Sequence, residues 1–254
     1  MKQRIISAII MLLIFIPIII MGGWPFYFLI LLIGMISLHE LLKFKPKIPI
    51  VLKLVTYILT TFILILGNIN SYWIIFLLLV YLSMIVFINN QEIYNYQDTF
   101  YLLGITLFIG ISFHNFIYIR NLDLNLFIYL FLITIGTDTF ALLTGKYLGK
   151  HKLAPKISPN KTIEGLIGGS LIGTLVASLF YILVIHDLSI ILVILLTLGL
   201  SFVGQIGDLI KSSIKRYENI KDFSNLIPGH GGILDRFDSI IFVMMTYILI
   251  KGLF

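Results

Sequence analysis

A chain of 254 residues that is 59% hydrophobic and only 12% charged, with a mean hydropathy of +1.06, is not an ordinary soluble domain. The composition is that of a polytopic, all-α membrane protein. Cysteine is absent, which excludes disulfides, thiolate zinc and a cysteine nucleophile together. The net charge of +6 says less than where the charges sit, and nucleic acid is not an expected partner.

Met1-Lys2-Gln3-Arg4 ahead of an apolar run resembles a signal peptide. Ile20-Met21-Gly22 is a poor cleavage site, however, and further spans follow at once, so the segment reads as a retained first helix. Membrane helices need about 20 mostly apolar residues. They are expected at roughly 5–21, 25–42, 51–67, 72–88, 100–119, 125–144, 164–185, 189–210 and 233–251, about nine in all, separated by turn-like segments such as Gly67-Asn68-Ile69-Asn70-Ser71.

With the N-terminus cytoplasmic, only Arg120 and Lys251 of the 18 lysines and arginines fall outside, as the positive-inside rule requires. Two inside loops, about 144–163 and 211–232, are long and polar, whereas the outside loops are short. Function is therefore expected at the cytoplasmic face of a multi-pass protein of the cell membrane. Residues 1–98 carry four spans that read as scaffold or interface; residues 99–254 carry the chemistry.

In the sixth span Asp138 lies inside an apolar run. An intramembrane carboxylate is a functional candidate by default, the alternative being a structural hydrogen bond to a neighbouring helix. The basic loop after it contains Lys146, Lys150, Lys152, Lys156 and Lys161. Ser158 or Asn160 is expected to cap the seventh helix, with Pro159 in its first turn, and a phosphate at that N-terminus would find counter-charge in Lys156 and Lys161. Glu40, after His39 at the end of the second span, is either a site residue or a local partner of Lys43. The lysines at 43, 45, 47 and 53 read as snorkelling contacts to anionic membrane lipids.

The densest polar stretch is 208–239. Asp208, Lys211, Ser212 and Lys215 recur at i, i+3, i+4 and i+7, so they share one helical face. Asp235, Asp238 and Ser239 are expected to do the same at the start of the ninth helix. Between them lies Pro228-Gly229-His230-Gly231-Gly232, whose glycines permit unusual backbone angles and close ligand approach. Two acidic helix ends joined by a basic, glycine-rich loop suit a divalent cation and phosphates, and hard oxygen ligands select magnesium.

The run Ser212-x-Ile214-Lys215-Arg216-x4-Lys221-Asp222-x-Ser224-x2-Ile227-Pro228-x-His230-Gly231-Gly232-Ile233-x-Asp235-Arg236-Phe237-Asp238 resembles the signature of the phosphatidate cytidylyltransferase (CDP-diacylglycerol synthase) family, without departure across Ser212–Asp238. Asp138-Thr139-Phe140-Ala141 and the segment from Lys152 to Gly165 are similar to that family as well. The resemblance implies transfer of a cytidylyl group from CTP to phosphatidate with Mg²⁺, a homodimer, and a second, monovalent cation (K⁺) near the magnesium. It implies that Asp208 and Asp235 hold the metal and, with Ser212 and Lys215, form the catalytic set. Arg216, Lys211, Lys221, Asp222, His230, Gly231, Gly232, Arg236, Asp238, Asp138, Lys156 and Lys161 would bind substrate. Two rival readings are a membrane kinase that uses CTP as phosphoryl donor and a transporter with Asp138 and Asp208 as cation sites. The long signature opposes the first. The gathering of polar residues at one face, rather than at the midplane, opposes the second.

Overall fold

The computed structural model describes residues 2–67, 70–88, 90–227 and 231–252. Among them nine α-helices occur in order: α1 (Lys2–Met21), α2 (Gly23–Leu42), α3 (Ile50–Leu66), α4 (Ser71–Ile88), α5 (Tyr96–Leu122), α6 (Leu124–Leu148), α7 (Ile163–Val184), α8 (Ile190–Tyr217) and α9 (Asp238–Lys251). The helices α2, α5, α6, α7 and α8 are long and apolar enough to cross a bilayer, and Met11–Met21, Ile50–Leu66 and Tyr72–Ile88 are shorter apolar helical segments. Large apolar side chains such as Leu32, Ile58, Leu142, Leu175 and Leu195 remain exposed, as lipid-facing residues must. The protein is a multi-pass helical membrane protein.

Three local expectations are corrected. The basic loop is not irregular: β1 (Lys152–Ala154) pairs antiparallel with β2 (Ser158–Thr162), Lys152 opposite Thr162 and Ala154 opposite Ser158. Consequently neither Ser158 nor Asn160 caps α7. Thr162 does, its hydroxyl accepting from the Gly165 N–H at 3.1 Å, because strand pairing carries the chain in extended form up to that residue. The ninth helix begins at Asp238 rather than near 233, and Asp235 lies in a separate 3₁₀ turn, Leu234–Arg236. Phe237, at φ −112° and ψ 14°, separates the two elements, so Asp235 and Asp238 do not share an α-helical face.

The chain divides into two compact units, Met1–Ile117 with Phe223–Leu234, and Tyr118–Asp222 with Asp235–Phe254. In the first, polar side chains within apolar helices satisfy one another, as hydrocarbon demands. The buried Tyr81 hydroxyl bonds Thr106 Oγ1 at 2.7 Å and Thr56 Oγ1 at 3.2 Å, the Tyr94 hydroxyl donates to the Tyr81 carbonyl at 3.0 Å, and Lys45 pairs with Asp98 at 2.6 Å.

In the second unit α6 and α7 pack closely. A Cβ at Gly173 would sit 2.6 Å from Thr137 Oγ1, and one at Gly169 would sit 2.7 Å from the Thr137 carbonyl oxygen. Small residues are what let two membrane helices approach this far. Thr137 in turn shares a 2.8 Å hydrogen bond with Ser201 of α8. Gln205 of α8 donates to Ser170 Oγ at 2.8 Å and to the Leu166 carbonyl at 3.1 Å, both on α7. These bonds fix the registers of three helices one residue before Asp138 and about one turn before Asp208.

Candidate active site

The second unit encloses a cavity of about 650 Å³, within the range of small-molecule sites. Its walls come from α6 (Asp138, Lys146), the β-hairpin (Asn160, Lys161, Thr162), α8 (Gln205, Asp208, Lys215) and the segments flanking the signature loop (Asp222, Asp235, Arg236, Asp238). Residues far apart in sequence, and expected on separate elements, thus meet around one space.

Two ion pairs lie along its walls. Lys161, reaching from β2, contacts Asp208 Oδ2 at 2.5 Å. Lys215 donates to Asp235 Oδ1 at 2.7 Å, with only 11% and 3% of the two side chains exposed. Asp238 Oδ1 accepts from the Ser239 N–H at 3.0 Å, a first-turn bond that orients the carboxylate. Lys211 is buried on the same face of α8. Ser212 donates to Asp208 Oδ1 at 3.4 Å. The helical face predicted from the spacing of 208, 211, 212 and 215 is therefore real, although Lys211 and Ser212 are buried and do not line the cavity.

The hairpin that carries Lys161 is anchored at both ends. Glu164 accepts from the backbone N–H groups of Lys150 (3.0 Å) and His151 (3.2 Å) and pairs with the His151 ring at 2.6 Å. Arg216 donates to the Ile157 carbonyl at 3.2 Å and to the Ile220 carbonyl at 3.1 Å, joining the end of α8 to the hairpin turn. Arg216, Lys156 and Lys221 are exposed and stand outside the cavity lining.

The glycine-rich part of the signature belongs to the first unit. Ile227 and Gly231 exchange two backbone hydrogen bonds, of 3.0 and 3.2 Å, and Gly231 has φ +84°, a conformation that favours glycine. Gly232 is buried. His230 lies outside the described residues.

Lys146, Asn160 and Gln205 line the cavity without having been singled out as site residues. Gln205 had a legible signal, an amide in an apolar helix three residues before Asp208. Asn160 belonged to the family-like segment and was considered only as a helix cap, whereas Lys146 offered no signal beyond membership of a basic loop. Magnesium is held by one or two carboxylates together with waters and phosphates, so the aspartates of this cavity are chemically suited to it. No three Asp, Glu or His side chains form a ready-made metal cage among the described residues.

Residues 2–254 match the model of the cytidylyltransferase family. The chain belongs to that family. A phosphatidate cytidylyltransferase of Bacillus subtilis (strain 168) is 37% identical over 267 aligned residues, covering 100% of this chain and 98% of that protein. Proteins of the same name from Staphylococcus haemolyticus and Staphylococcus aureus (strain COL) are 39% and 37% identical, each over 96% of both chains. Of the run Ser212–Asp238, Lys215, Asp222, Asp235, Arg236 and Asp238 line the cavity, joined by Asp138 of α6 and by Asn160, Lys161 and Thr162 of the hairpin.

Proposed function

We propose that this chain is a nucleotidyltransferase that joins phosphatidate to the cytidylyl group of CTP, releasing CDP-diacylglycerol and pyrophosphate. The reading rests above all on one observation. A single cavity of nucleotide-compatible size combines Asp138, Asp208, Asp235 and Asp238 with Lys146, Lys161, Lys215 and Arg236 in an otherwise apolar protein.

The first obstacle to the reaction is repulsion, since an anionic phosphate monoester must approach the α-phosphorus of a triphosphate. Lys161 and Lys215 would exchange their carboxylate partners for phosphate oxygens and so draw the two anions together. The lipid phosphate oxygen then forms a bond to the α-phosphorus as the bond to the bridging oxygen of pyrophosphate breaks. Phosphatidate is already ionised near neutral pH, so no strong base is needed; positioning and charge stabilisation supply the acceleration. Asp208 and Asp235 would hold Mg²⁺, which when bound offsets charge on the leaving pyrophosphate. Arg236 and Lys146 add positive charge to the same walls.

We also infer nine crossings with a cytoplasmic N-terminus, which the distribution of Lys and Arg supports. The cavity would then face the cytoplasm, where soluble CTP meets a lipid headgroup, with residues 1–98 as scaffold or interface and the chain as a homodimer. The test is an assay of purified protein in detergent with labelled CTP and phosphatidate, with and without Mg²⁺. Metal-dependent label in a lipid, with pyrophosphate released, is the expected result. Release of CDP without labelled lipid would overturn the reading in favour of phosphoryl transfer.

A further inference from the structure

Glu40 is a carboxylate near the end of the apolar helix α2, and only 1% of it is exposed. A buried charge in a membrane helix is costly unless its lone pairs are used, and here they are. Oε1 accepts from Ser224 Oγ at 2.5 Å and from the Ile233 N–H at 2.9 Å; Oε2 accepts from the Leu234 N–H at 2.8 Å. These bonds join residues 184 to 194 positions apart in sequence, within a single compact unit. Gly232 completes the arrangement, since a Cβ there would lie 2.6 Å from Glu40 Oε1. The carboxylate, held by its three donors, has no room to yield.

The three donors bracket the signature loop, one near its start and two at its end, and the residue after Leu234 in the chain is Asp235. Granting the activity proposed above, we propose that Glu40 is a positioning residue for that reaction, setting the backbone of loop 223–234 and hence the conformation from which the chain enters Asp235. It acts through main-chain N–H groups, not on substrate. Within the loop, Ile227 and Gly231 pair with each other through the backbone, and the carboxylate from α2 ties Ser224, Ile233 and Leu234 on either side of that pair.

The substitution Glu40→Gln keeps the shape but replaces one acceptor with an NH₂ group, which meets N–H donors it cannot satisfy. In E40Q, hydrogen exchange of loop 224–234 read by mass spectrometry should accelerate while α2 stays protected. Turnover per folded molecule should fall roughly tenfold or more, the usual cost of removing an outer supporting bond, with KM for CTP changed far less. S224A, which deletes one donor and leaves the carboxylate, should show the same pattern at a few-fold, and it carries the test alone if E40Q does not fold. Unchanged loop exchange, or faster exchange with wild-type turnover, would overturn the proposal. A wild-type enzyme inactive on CTP and phosphatidate would instead overturn the activity and the catalytic role with it; loop exchange in E40Q would still report whether Glu40 holds the backbone.

Discussion

The two compact units solve the problem of polar groups in an apolar chain in opposite ways. In the first, Tyr81 with Thr56 and Thr106, and Glu40 with its three donors, close upon one another, while Lys45 and Asp98 pair at the wall of a smaller cavity. In the second, Asp138, Asp208 and Asp238, together with Lys161 and Arg236, front a cavity. Closed networks hold helices in register; polar groups facing a cavity can change partners. The second unit has closed networks as well, Thr137 with Ser201 and Gln205 with Ser170, so what sets it apart is the charged groups on its cavity wall and what they can do after a partner leaves.

The sharpest break of this contrast is at the paired aspartates. D208N should lower turnover by roughly three orders of magnitude with little loss of stability, because its partner Lys161 is a quarter exposed and can rehydrate. D235N should lose as much turnover and also destabilise the fold, since Lys215 is left poorly compensated in a buried position, a change that costs about 3–5 kcal/mol when one partner of a buried pair is removed. Turnover and thermal unfolding in detergent separate the two, and near-normal activity of either variant would defeat the metal assignment.

A smaller effect is expected at the helix crossing. G173A places a methyl group 2.6 Å from Thr137 Oγ1 and 2.8 Å from its backbone nitrogen, which should cost about 1–3 kcal/mol by overpacking and lower turnover by displacing Asp138. Unaltered thermal unfolding would mean that the crossing is looser than the distances imply. Least of all, Y81F in the first unit should lose about 1 kcal/mol of stability and no turnover. A loss of activity there without a loss of stability would erase the distinction between the units.

Hydropathy was enough to find the helices, because an apolar run in a membrane protein has few alternatives. It was weaker at their ends. The ninth helix was expected from about 233, yet α9 begins at Asp238, after a separate 3₁₀ turn at Leu234–Arg236. Residue type marked Asp208 and Asp235 as candidates, and both line the cavity. Their lysine partners could not be read in this way, since Lys161 reaches Asp208 only through a hairpin whose strand pairing a basic, proline-containing segment conceals. Glu40 stood undecided between a site role and a bond to Lys43; its three donors lie in a loop more than 180 residues away, a pairing no local pattern encodes.

The two ion pairs of the cavity also bear on which molecules can compete for it. A ligand that brings no charge, such as a bare nucleoside, would have to part Lys161 from Asp208 and Lys215 from Asp235 and offer neither side anything in return. A polyphosphate accompanied by a cation satisfies both halves of both pairs at once. Effective inhibitors of this enzyme should therefore carry their own counter-charges in matched sets, and cytidine mimics stripped of phosphate should bind weakly however well they fit the base.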